Sequence, residues 1–278
     1  MIPNILSIAG SDPSGGAGIQ ADIKSISANG GYAMAAITGL TAQNTCGVTR
    51  IYPVAPDMVA DQIAALRSDI RIDAIKIGML GTADVIAVVA DELAQIDAPV
   101  VLDPVMVAKS GDRLLQANAV SALREQLLPL ATIITPNLPE AADLLETAEA
   151  QTLDDMAAQA QALLALGPQA VLLKGGHLPS GTSPDLICSS EGINLLDGPR
   201  INTKNTHGTG CTLSAALATY LAKGFSAKDA ACAAKTYVAN AIATSDKLTL
   251  GQGYGPTHHF FSKPALKDRI IPLAFNKR

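Results

Sequence analysis

Tryptophan is absent from this chain, and aromatic residues make up only 3% of its 278 positions. Its core must therefore be built from aliphatic side chains, and apolar residues supply 48% of the total. Cysteine is scarce. Cys46, Cys188, Cys211 and Cys232 stand singly, with no pair at metal-ligand or redox spacing, which points to reduced thiols in a cytoplasmic setting. Long hydrophobic runs are also missing; stretches such as 85–90 are far too short to span a bilayer. Met1-Ile2-Pro3-Asn4 has neither the basic lead nor the apolar run of a signal peptide. A net charge of -5 argues against a general nucleic-acid or membrane-surface role, while leaving room for a local basic pocket.

What is present is alternation. Short aliphatic runs at 5–9, 33–41, 74–77, 100–102, 132–134 and 171–173 read as strands buried on both faces. Helical patterns at 17–28, 57–67, 83–95, 117–128, 154–166, 212–223 and 227–245 lie between and after them. This order predicts an α/β fold with a doubly wound, mostly parallel sheet. No repeat or linker interrupts it, so residues 1–262 read as one domain, with 263–278 as a tail without diagnostic features. The stretch 33–53 suggests a short antiparallel flap, and 179–199 reads as irregular strands and turns.

In such sheets ligands gather at the carboxyl ends of the strands. Here those ends carry Gly10-Ser11-Asp12 with Gly15-Gly16-Ala17-Gly18, then Gly78-Met79, Asp103-Pro104-Val105-Met106, Thr135-Pro136-Asn137 and Lys174-Gly175-Gly176-His177. Lys109-Ser110-Gly111 follows the third of them. The sharpest element is Thr206-His207-Gly208-Thr209-Gly210-Cys211, whose glycines are placed just before a helix. Exposed backbone N–H groups and the helix dipole would hold an anion there, although a ligand-free helix start explains the glycines equally well. Neither a Walker loop nor a dinucleotide fingerprint is present.

Single residues keep two readings each. Cys211, at a helix start, is expected to have a lowered thiol pKa and to serve as base or hydrogen-bond partner; the alternative is a small buried residue. Lys174, ending an apolar strand, needs either a phosphate or a structural carboxylate partner. Asn137 and Glu140 have capping-box spacing, yet Glu140 is also placed to hold Mg²⁺ through water. Asp12 either contacts substrate or stabilises its turn. His207 and His177 lack metal-ligand spacing.

These blocks, with Thr41-Ala42-Gln43-Asn44-Thr45, Lys76-Ile77-Gly78-Met79 and Gly253-Tyr254-Gly255-Pro256, resemble the hydroxymethylpyrimidine/phosphomethylpyrimidine kinases of thiamine biosynthesis, in the ribokinase-like superfamily. The resemblance implies ATP-dependent phosphorylation of the pyrimidine alcohol, then of the monophosphate. It assigns Gln43 to the aminopyrimidine edge, and Gly10, Asp12, Ala17, Met79, Val105, Met106 and His207 to the substrate side. Gly208, Thr209 and Gly210 become the anion hole, with Cys211 and Lys174 in the catalytic group. Asn137, Thr206 and Thr209 approach the nucleotide, and Asp103 and Glu140 the Mg²⁺ ion. A homodimer is implied as well. The rivals are a pyridoxine or pyridoxal kinase on the same scaffold and a non-catalytic vitamin-binding module.

Overall fold

The computed structural model describes residues 1–106, 115–116, 118–178 and 181–262. The stretch around Lys109-Ser110-Gly111 and the tail 263–278 lie outside the described residues.

One nine-stranded sheet runs in the order β3-β2-β1-β4-β5-β6-β7-β8-β9. Its strands are β1 (Asn4–Ser11), β2 (Tyr32–Asn44), β3 (Gly47–Pro53), β4 (Ala74–Ile77), β5 (Val100–Leu102), β6 (Ile133–Ile134), β7 (Ala170–Lys174), β8 (Asp185–Ser189) and β9 (Gly192–Leu196). From β2 through β7 the neighbours pair in parallel, whereas β3, β8 and β9 join antiparallel. The strand order reverses beside β1, which has β2 on one side and β4 on the other, and this reversal opens a crevice at the carboxyl ends.

The helices are α1 (Gly18–Ala28), α2 (Pro56–Asp69), α3 (Ala83–Leu93), α4 (Ala119–Ala122), α5 (Leu138–Leu145), α6 (Leu153–Leu164), α7 (Thr209–Ala222) and α8 (Ala227–Ala243). The chain beyond α4 continues through a π turn and a 3-10 turn, which replace the regular helix expected to 128. Side chains alternate across each strand, so the two faces bury different sets. Leu6, Ile8, Ile75, Ile77 and Leu102 pack towards α2, α3, α5 and α6. Ile5, Ala74, Val101, Ile133, Ala170 and Leu172 pack towards α7 and α8. No described helix is long and apolar enough to cross a membrane.

The expected flap is real: β2 and β3 pair antiparallel across a turn at Thr45-Cys46. Two strands and one helix replace weaker expectations. Residues 185–196 form the regular hairpin β8–β9, and Asn137 with Glu140 opens α5 through a complete capping box.

Candidate active site

The alternation that builds the core also builds the site. Asp103 lies two positions beyond Val101, Thr135 two beyond Ile133 and Lys174 two beyond Leu172, so all three extend an α7-facing row past its apolar part. There they meet. Lys174 Nζ lies 3.0 Å from Asp103 Oδ1 and 3.8 Å from Glu140 Oε2. Thr135 donates to Asp103 Oδ1 at 2.9 Å. Asp103 is almost wholly buried, and burial would raise its carboxyl, but Lys174 and Lys76 outweigh that and hold it below the usual range. Burial likewise opposes the charge on Lys174, yet Asp103 and Glu140 raise its pKa. Glu140 is pushed up to about 7 by burial, with Lys174 pulling it back and Asp103 adding to the rise.

Helix α7 starts directly over this cluster. It begins at Thr209, three residues before the expected start at 212, so Gly208 is the residue before the helix and Gly210 sits inside its first turn. Thr209 N–H turns back to the Thr206 carbonyl at 3.3 Å and its hydroxyl to the same atom at 2.8 Å. The N–H groups of Gly210 and Cys211 belong to the first turn, where a helix offers no internal acceptor. A side chain at Gly210 would meet Asp103 Oδ2 at 3.3 Å and Lys174 Nζ at 3.5 Å. First-turn amides, the positive end of α7 and the Lys174 ammonium thus face one small volume, an arrangement suited to a phosphoryl group.

The turn is held by backbone contact. Gly208 has φ 75°, and a Cβ there would overlap the Gly16 carbonyl oxygen. Asp12 secures the opposing loop: its carboxylate accepts the N–H groups of Ser14 at 2.8 Å, Gly16 at 3.2 Å and Ala17 at 2.8 Å. His207 Nε2 lies 2.7 Å from the same carboxylate. Burial works to raise the Asp12 carboxyl, but His207 and Ser14 hold it below its ordinary value. Of the two readings of Asp12, its contacts support the turn.

Beside it lies a slot. The Met79 side chain packs directly over the Cα of Gly10, and Thr38 fixes the Met79 carbonyl at 2.5 Å. Ala17 and Val105 are half-buried near the crevice, whereas Met106, 1% exposed, packs in the core with Leu115. Gln43 Nε2 stands 3.5 Å from His207 Nε2, at the joint between flap and anion turn. The segment after α8 closes that joint: Tyr254 N–H donates to the Thr45 carbonyl at 2.9 Å, and His207 N–H to the Gly255 carbonyl at 3.0 Å.

The expectation for Cys211 changes, while the capping reading of Asn137 holds. Cys211 is not a low-pKa thiol: burial pushes it up to about 11, against the pull of Lys76 and the Gly18 N–H. The dipole argument fails because desolvation of the sulfur is the larger effect. Asn137 is occupied as a helix cap, accepting Glu140 N–H at 2.9 Å. His177 is exposed in the turn after β7, and Thr206 presents its carbonyl to Thr209. Sequence reasoning also passed over Lys76, a cation with no exposed surface, paired with Asp22 at 2.8 Å. The signal was a lysine inside the apolar strand Ala74-Ile75-Lys76-Ile77.

The phosphomethylpyrimidine kinase family profile matches residues 12–258. A hydroxymethylpyrimidine/phosphomethylpyrimidine kinase of Salmonella typhimurium is 53% identical over 92% of this chain and 97% of its own. Among solved structures, an ADP complex of Bacillus subtilis pyridoxal kinase superposes with TM-score 0.86 at 42% identity, over 93% of this chain and 98% of that one. A phosphomethylpyrimidine kinase from Clostridium difficile gives 0.77 at 40% identity, over 86% and 99%.

Proposed function

Because the chain belongs to the phosphomethylpyrimidine kinase family, we propose that it uses ATP to phosphorylate 4-amino-5-hydroxymethyl-2-methylpyrimidine, and then phosphorylates the monophosphate to the diphosphate. The observation that carries this reading is the meeting of Lys174, Asp103 and the first turn of α7 beside the slot at Gly10 and Met79. Residues 1–262 make up one kinase domain in this reading, built on the single described sheet.

Phosphoryl transfer is largely dissociative, so positioning and charge neutralisation carry most of the catalysis. In this reading the Gly210 and Cys211 amides and Lys174 hold the equatorial oxygens in flight. Thr206 and Thr209 line the nucleotide side, and Asn137 keeps α5 and Glu140 in place. Gln43 and His207 meet the polar edge of the pyrimidine, while Met79, Gly10, Ala17 and Val105 enclose its ring. A thiol with a pKa of about 11 is protonated at neutral pH, so Cys211 orients the attacking hydroxyl rather than removing its proton early. Cys211→Ala is expected to lower kcat about 10-fold or more; near-unchanged turnover would remove this role.

Mg²⁺ fits the donor set sparingly. No group of three or more His, Cys, Asp and Glu side chains among the described residues is arranged to hold a metal ion. Mg²⁺ needs less, typically one or two carboxylates with waters and substrate phosphates. Asp103 and Glu140 would supply these next to Lys174, where the ion would neutralise phosphate charge.

A homodimer through the flap fits the exposure of Leu40, Ile51 and Tyr52. A cytoplasmic setting fits the four free cysteines.

The test is turnover of the purified chain with ATP and, side by side, the hydroxymethylpyrimidine and pyridoxal. The likeness to the Bacillus subtilis pyridoxal kinase makes the second alcohol the relevant competitor. Preference for pyridoxal would overturn the assignment, and binding without ATP consumption would return it to a binding module.

A further inference from the structure

Asp185 and Lys235 form a buried ion pair that the site described above leaves unused. Lys235 Nζ, from α8, lies 2.6 Å from Asp185 Oδ2 and donates to the Ser183 carbonyl at 2.7 Å. Asp185, at the start of β8, is buried, and its other oxygen, Oδ1, accepts the Gly175 N–H at 3.0 Å. A buried pair of this kind adds little net stability, because the loss of hydration offsets the attraction. Its consequence lies in what it holds in place.

It holds the strand end that carries Lys174. β7 and β8 pair antiparallel with Lys174 directly opposite Asp185, and opposite residues share a face at Cβ separations of about 4.5–5.5 Å. Asp185 lies two positions before Ile187 and Lys174 two beyond Leu172, so both extend rows that pack towards α7 and α8. The Lys174 ammonium nevertheless turns to Asp103 at 3.0 Å and Glu140 at 3.8 Å. Both oxygens of its cross-strand carboxylate are already taken, one by Lys235 and one by the Gly175 N–H. Gly175 is closely packed as well, since a Cβ there would overlap the Pro184 carbonyl oxygen. Burial raises the Asp185 carboxyl above its ordinary value, against the pull of Lys235, the Gly175 N–H and Lys174.

We propose that Asp185 and Lys235 are positioning residues for Lys174. Asp185 clamps the backbone at the residue after Lys174. Lys235 satisfies the carboxylate that would otherwise compete for the Lys174 ammonium. That ammonium is thereby left on Asp103, facing the phosphoryl group at the first turn of α7. Its part in phosphoryl transfer rests on the kinase reading, whereas its placement does not.

The experiment is Lys235→Met in the full chain, read by crystallography and by turnover with ATP and the hydroxymethylpyrimidine. In the crystal the Lys174 ammonium is expected within about 3.2 Å of Asp185 and away from Asp103; an ammonium still on Asp103 overturns the proposal. K235M is expected to lower kcat about 10- to 100-fold, short of the loss on removing Lys174, with KM for the pyrimidine within about twofold. Adding Asp185→Asn removes the competing charge and keeps an acceptor for the Gly175 N–H, so D185N/K235M should recover kcat to within about twofold of wild type. In a Lys174→Met background, K235M should bring no further loss. A merely structural pair would show no recovery in the double variant and equal losses in both backgrounds, and that pattern overturns the proposal. Should K235M fail to fold, Lys235→Gln takes its place in every arm, since its amide carries no charge but can still donate to the Ser183 carbonyl. Wild type that ignores the pyrimidine would sink the kinase assignment, while the crystal structure would still decide where Lys174 turns.

Discussion

At the scale of single residues the site depends on burial as much as on charge. Lys174 answers two carboxylates, so Lys174→Met leaves Asp103 and Glu140 together without their cation. A loss of about 10²- to 10³-fold in kcat is expected, the range for removing one charge-stabilising donor, as a coupled assay of ADP release would show. His259 makes a separate prediction. Burial pushes its imidazole from 6.5 down to about 4, and its Nε2 sits 3.0 Å from Thr212 Oγ1 beneath the start of α7. The unfolded imidazole gains its proton near the ordinary value and the folded one only near the depressed value. Stability from this group is therefore present above pH 6.5 and is lost as pH falls towards about 4. The loss amounts to about 3 kcal/mol, and urea unfolding across that window should show a flatter acid limb for His259→Gln. Cys211 was misjudged for the same reason: a sequence displays the helix dipole but not the desolvation opposing it.

At the scale of elements, the start of α7 is fixed by contact with the loop before α1. Gly208→Ala would drive a Cβ into the Gly16 carbonyl and strain a positive φ. Turnover is expected to fall about 100-fold or more, with secondary structure kept, since backbone misplacement of about 1 Å is that costly; near-normal kcat by this variant would show that the amides do not hold phosphate. The parallel strands were legible because burial on both faces leaves continuous aliphatic runs such as Val100-Val101-Leu102, and nearly so Ile75-Lys76-Ile77. Lys76 was the exception inside such a run, and its partner Asp22 is 54 positions away, beyond the reach of local pattern. The short α5 showed its cap but too few turns for a period, and β8 and β9, at the sheet edge, carry Asp185, Ser189 and Asn194 among their apolar residues. The junction residues were legible as a group, whereas the split between support and contact was not. Asp12 and Asn137 carried a turn and a cap reading beside a ligand one, and the folded chain uses them for a turn and a cap, while Met106, expected at the substrate slot, packs in the core.

At the scale of the whole molecule, the flap extends its apolar side chains into solvent. Leu40, Ile51 and Tyr52 are 48%, 40% and 63% exposed, an arrangement that fits burial against a second copy. Ile51→Lys with Tyr52→Glu is expected to yield a monomer in sedimentation, and an unchanged mass would place any dimer contact elsewhere. The same flap is tied at Thr45 to the segment after α8, and Asp12 meets His207 across 195 positions of chain. Contacts so distant in sequence close late in folding, because each demands the ordering of a long loop first. The sheet is therefore complete before its pocket exists. A growing or refolding chain that has not yet brought residue 207 against residue 12 holds its strands in register and yet has nowhere to seat a nucleotide. In stopped-flow refolding, the far-ultraviolet signal of strands and helices should return ahead of ADP binding, with the interval between them marking assembly of the crevice.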